Sequence, residues 1–144
     1  AEGEAVLGWL NARFHCHSNG ELVDWDDVLE RIIYELGHQF DTLGASVGHV
    51  KILLNQGDQY GIANLTGSSE TIKIRGGAGL GTQGTLTINA RVEMPPEQLN
   101  QLVRSLLDQV LGVEILWDTI ESKHLSPGRP NPTFRYKRVV ENQD

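Results

Sequence analysis

The stretch TLTINARVEMPPEQLNQLVRSLLDQVLGVEILWDTIE, residues 85–121, decides the fold. Its first residues alternate, with Leu86, Ile88, Ala90 and Val92 on one side of an extended chain and Thr87, Asn89 and Arg91 on the other. That is the pattern of a half-buried strand. Pro95-Pro96 then opens a helix, because proline is tolerated in a first turn. From there the apolar residues change period: Leu99, Leu102, Val103, Leu106, Leu107, Val110 and Leu111 form a single stripe that runs to Gly112, and glycine suits a helix C-terminal boundary. Residues 113–121 return to strand character. A helix with one apolar stripe between two strands needs a sheet face to cover.

The N-terminal half has the same design. In residues 5–17, AVLGWLNARFHCH, the residues Asn11, Arg13, His15 and His17 share one parity and Leu10, Ala12, Phe14 and Cys16 the other. Ser18-Asn19-Gly20 makes a turn, Asp24 stands where an N-cap belongs, and Asp26 and Asp27 load the first helical turn, where the helix dipole favours acids. The helical stripe is Trp25, Val28, Leu29, Ile32, Ile33, Leu36, Phe40 and Leu43. Residues 46–54 and 59–66 flank Asn55-Gln56-Gly57-Asp58 and read as a hairpin. Between Gly67 and Gly84 lie six glycines and one alternating piece, Thr71 to Arg75, that reads as an edge strand or a loop.

The expected fold is therefore α+β: a two-layer sandwich of a mostly antiparallel sheet with two helices on one face, ferredoxin-like with an extra strand in the middle of the order β-α-β-β-β-α-β. A chain of 144 residues suits one domain, spanning 1–144, and the prolines of SPGRPNP make 126–144 an irregular segment and tail.

Composition narrows the function. Nineteen acids against twelve bases give a formal charge of −7, which argues against general binding to nucleic acid or to an acidic membrane surface. Arg129, Arg135, Lys137 and Arg138, interleaved with Phe134 and Tyr136, make the tail locally basic, but the central strands lack the exposed aromatics on which RNA bases stack. The longest apolar run, Ala5 to Leu10, is too short to cross a bilayer, no charged leader precedes it, and one cysteine excludes an internal disulfide framework. These features predict a cytoplasmic chain.

The sequence also lacks catalytic patterns. Gly79 to Gly84 spells G-x-G-x-x-G but leads into a strand, without the helix N-terminus that holds a pyrophosphate, and no lysine follows a glycine anywhere. No nucleotide and no cofactor are expected. Cys16 has histidine neighbours, but adjacent strand residues point to opposite faces, so no nucleophile–base pair forms there. His15 and His17 can share a face as weak metal candidates, and His49 from another strand, or a second chain, would have to supply a third ligand. Two imidazoles alone fill half a tetrahedral shell.

Five segments carry a resemblance: GWLNARF at 8–14, GHVKILL at 48–54, IANLTG at 62–67, INARVE at 88–93 and PGRPNPTFRY at 127–136. In order and spacing they resemble the C-terminal domain of CobW-type GTPases, a family linked to cobalamin biosynthesis and metal delivery, in which a P-loop domain precedes this one. The resemblance implies a noncatalytic interaction or regulatory module, excised from a longer chain or encoded alone. Its metal-binding cysteines and its GTPase activity belong to the domain that this sequence lacks.

The resembling segments also share a parity. Asn11, Arg13, His49, Lys51, Asn89 and Arg91 fall opposite the helix-packed side, joined by Asn64 and with Trp9 nearby as an apolar anchor. This face is either solvated, as antiparallel sheets allow, or a docking surface for the GTPase domain, a second copy or a small anionic ligand. The alternative function is a small metal-binding accessory protein using His15 and His17.

Overall fold

The computed structural model describes residues 6–127. The basic–aromatic tail and most of the last resembling segment lie outside the described residues. The elements are β1 (Gly8–Ser18), β2 (Val23–Asp24), α1 (Trp25–Leu43), β3 (Val47–Gln56), β4 (Gln59–Leu65), a 3-10 turn (Ser69–Thr71), β5 (Lys73–Gly77), β6 (Leu80–Gly81), β7 (Gln83–Val92), α2 (Pro96–Leu111) and β8 (Ile115–Leu125).

The architecture is α+β, with a six-stranded antiparallel sheet ordered β5-β4-β3-β7-β1-β8 and a separate two-stranded pair, β2-β6. Within it, β8-β1-β7-β3 is the ferredoxin-like unit: α1 carries the chain from β1 to β3 past β7, and α2 carries it from β7 to β8 past β1. Two strands rather than one are added to that unit. They are β4 and β5, and they extend the sheet beyond β3 at its edge. Thr71–Arg75 accordingly divides between the 3-10 turn and an edge strand.

Local chemistry sets the helix ends. Asp24 caps α1 by accepting from the N–H groups of Asp26 and Asp27, and Gly44 ends it in the left-handed region at φ 68°. Pro96 opens α2 and the N–H of Gly112 closes it on the Asp108 carbonyl. In the β3–β4 hairpin Gln56 faces Gln59, so Gly57-Asp58 is a two-residue loop, and Gly57 takes the positive φ that such a tight turn needs.

α1 lies over β3 and β4, and α2 over β1 and β8. Their stripes meet the even-numbered side of β1, β7 and β3: Leu10, Ala12, Phe14, Val50, Ile52, Leu54, Leu86 and Ile88 are all at most 1% exposed. Leu29, Ile33 and Leu106 are buried as the stripes require, whereas Leu102 and Val110 sit at the margin and Leu43 is exposed. α2 also carries Arg104 onto an aromatic corner, where Phe14 and Trp117 meet edge to face at 5.4 Å.

The route from β5 to β7 must pass two strands, β4 and β3, and it does so across the N-terminus of α1. The Asp26 carboxylate accepts from the N–H of Ala78 (2.7 Å) and of Gly79 (3.1 Å), while the Trp25 N–H donates to the Gly79 carbonyl (3.0 Å). From the other side the Gln56 side-chain amide donates to the carbonyls of Ala78 and Leu80. The glycine-rich segment is thus a pinned crossover.

Candidate functional site

With both helices on one side, the other side of the six-stranded sheet is uncovered by any described residue. Side chains opposite one another in a ladder share a face, so the registers show what stands there. All eight residues expected on this face lie on it. Trp9 stands opposite Arg91, and Arg91 opposite His49. One step along the strands, Asn11, Asn89, Lys51 and Asn64 are successive neighbours. Arg13 is one step further, opposite Thr87.

Several of these side chains are already engaged. The Arg91 guanidinium lies over the Trp9 ring at 4.7 Å from its centroid, a cation–π contact. The indole nitrogen of Trp9 is buried with no hydrogen-bond partner. The His49 ring Nε2 meets the Asn64 Oδ1 at 2.9 Å. Arg13, expected as a contact residue of this face, is paired within the chain with Glu121 of β8 at 3.2 Å. That strand's register could not be read from its own pattern, so the partner was invisible.

Trp9, Asn11, His49, Lys51, Asn89 and Arg91, with Ala90, line one concavity of about 370 Å³. A second, wider groove of about 910 Å³ continues from His49 past Asn64 to Lys73 and Arg75, with Glu70 on its rim. Lys73, Arg75 and Lys123 belong to the face but were missed. The first two lie on the edge strand whose state the pattern left open, and the last lies beyond residue 121, where the final strand was expected to end. Only the alternation of Lys73, Ile74 and Arg75 gave a signal.

The charges are segregated. Among the described residues there are eight Lys and Arg, and six of them stand on this face: Arg13, Lys51, Lys73, Arg75, Arg91 and Lys123. Asp118 and Glu121 are the two acids in the same ladder positions. An acidic protein therefore presents one basic surface.

At the opposite end of the face, His15 and His17 stack with ring centroids 5.3 Å apart, and the His15 Nε2 lies 3.1 Å from the Gln83 Oε1. His49 does not join them. His15 pairs with Thr85 and His49 with Arg91, six residues apart along β7, or about 20 Å at strand rise. Cys16 points into the core, where burial and then the Asp118 carboxylate push its thiol up to about 12. Among the described residues no three His, Cys, Asp or Glu side chains gather as a metal site would require. No described helix is long and apolar enough to cross a membrane.

Fold and site together define a two-layer α+β domain with one open, cationic and amide-rich sheet face. No known protein-family model, curated protein or solved structure matches the chain.

Proposed function

We propose that this chain is a noncatalytic interaction module of the kind its sequence resembles, the C-terminal domain of CobW-type GTPases, acting in the cytoplasm in metal delivery or cobalamin biosynthesis. The uncovered sheet face is its contact surface, and its partner is a P-loop GTPase domain or a second copy. The observation that supports this is the segregation of six of eight described cations onto one uncovered face of an acidic chain. Charge placed so gives orientation and partner choice more than raw affinity. A noncatalytic role accords with a thiol that is buried and held protonated.

Calorimetric titration of an isolated CobW-type P-loop domain, together with sedimentation of the chain alone, tests the reading. Lys51→Ala and Arg91→Ala should each weaken association by about 1–3 kcal/mol through lost charge-assisted hydrogen bonds, with little effect on stability. Arg13→Ala should do less, because Glu121 already occupies that guanidinium. Absence of both associations, or equal affinity in the variants, would refute the reading.

A further inference from the structure

One row of the open face crosses every strand of the main sheet. Lys123 stands opposite Asn11, Asn11 opposite Asn89, Asn89 opposite Lys51, Lys51 opposite Asn64, and Asn64 opposite Lys73. The row holds lysines and asparagines only. At about 4.8 Å per strand interval it is about 24 Å long. Five of its members are exposed and Asn64 is half-buried. Among the described residues none of the three lysines is in an ion pair.

We infer that this row seats an extended acidic polypeptide segment, laid across the strands with its carboxylates on Lys123, Lys51 and Lys73. The inference rests on the reading of the open face as a contact surface, and names the chemistry of what docks there. Size argues first. The lysines are three and two strands apart, about 14 and 10 Å, too far for one small oxyanion to bridge. The whole row matches about seven residues of extended chain at roughly 3.3 Å each.

The chemistry of the amides argues next. Lysine only donates, whereas an asparagine side chain both donates and accepts. Asn11 and Asn89 can therefore answer the N–H and C=O groups of a peptide backbone as well as its carboxylates, while Asn64, whose Oδ1 already meets the His49 ring, offers its amide N–H groups. In the neighbouring row the half-buried Leu53 stands opposite the buried Ile62, so Leu53 is the apolar contact for the segment's other side chains. A single-stranded nucleic acid fits less well, because its affinity depends on aromatic platforms. The Trp9 ring is already covered by Arg91, and Tyr60 lies two rows away. Among the described residues thirteen of the fifteen acids lie outside the ladder positions of this face, so field and contacts select the same surface.

The test is fluorescence anisotropy of the chain with a labelled peptide of alternating glutamate and alanine, its glutamine counterpart, and an oligouridylate of similar length. The glutamate peptide should saturate, the glutamine peptide should bind at least about tenfold more weakly, and binding should fall as salt rises from about 0.05 to 0.3 M. Combined Lys51→Ala, Lys73→Ala and Lys123→Ala should cost about tenfold or more, since each exposed pair contributes modestly. The triple variant should keep the parent's circular dichroism, and Arg31→Ala on the helix side should bind like the parent. Equal binding of the glutamine peptide, an unaffected triple variant, or tighter binding of oligouridylate would overturn the inference. Peptide binding without association of a P-loop domain or a second copy would uphold it and defeat the earlier reading. Association that is weakened by Lys51→Ala and by Arg91→Ala, with the glutamate peptide silent, would do the reverse.

Discussion

At the scale of single residues, parity along a strand separates chemistry that sits side by side in the sequence. His15, Cys16 and His17 look like one cluster, yet the thiol is 1% exposed and the two rings stack on the opposite face. The unfolded thiol ionises near 9.0 and the native one near 12. Between those values the unfolded chain has released a proton that the native chain keeps, so Cys16's contribution is intact below pH 9 and lost as pH rises. Its slope is about 1.4 kcal/mol per pH unit. Urea denaturation of the parent and of Cys16→Ala from pH 8 to 11 should show this extra slope in the parent alone. Parallel curves would mean the thiol is not shielded. For the histidines, two imidazoles with the third about 20 Å away cannot close a shell. A chelator should leave the melting temperature unchanged, and one tightly held metal per chain, lost in His15→Ala/His17→Ala, would contradict this. Parity alone exposed this separation in the sequence. What it could not show was the Arg13–Glu121 pair, which depends on which residue of another strand arrives opposite.

At the scale of elements, the parts whose ends are chemically marked were legible and the parts without marks were not. Asp24 and Gly112 bound the two helices where capping rules put them. The crossover between β5 and β7 has no such mark. Asp26 stands in the acidic first turn of α1 as the sequence predicts, and its carboxylate also accepts from two backbone N–H groups of the crossover. Nothing local announces that role, because Ala78 and Gly79 are more than fifty residues away. Asp26→Ala should therefore cost about 2–3 kcal/mol, well above the loss of a dipole contact alone, since both N–H groups lose a charged acceptor. Asp26→Asn should cost less, because one carbonyl oxygen remains to accept. Hydrogen exchange should show faster exchange at Ala78 and Gly79 in the alanine variant, and an unchanged rate there would show the clamp to be idle. Gly79, at φ 78°, is the position where the crossover turns in a conformation that disfavours a side chain.

At the scale of the molecule, the Lys–Asn row is a property of register, and register comes from turns and buried patterns acting together across six strands. The alternation in each strand showed which residues face outward. It did not show that Lys123, Lys51 and Lys73 would align, and it left open whether the segment that carries Lys73 is an edge strand or a loop. The same charge distribution constrains how two copies can meet. A two-fold contact buries the same patch on both subunits, and here it would set six cations against six. Like charges brought together with their solvent excluded are costly, so a closed face-to-face dimer is disfavoured. A second copy can instead offer its helix side, where Asp27, Glu30, Glu97 and Asp108 are exposed. That contact is head to tail and leaves a free basic face and a free acidic face at the two ends, so it does not close. Sedimentation at about 20 mM salt, where the Debye length exceeds 20 Å, should show a weight-average mass that rises with concentration past that of a dimer. At about 0.3 M salt the chain should return to a monomer. A discrete dimer that persists in salt would require an interface other than opposed charge.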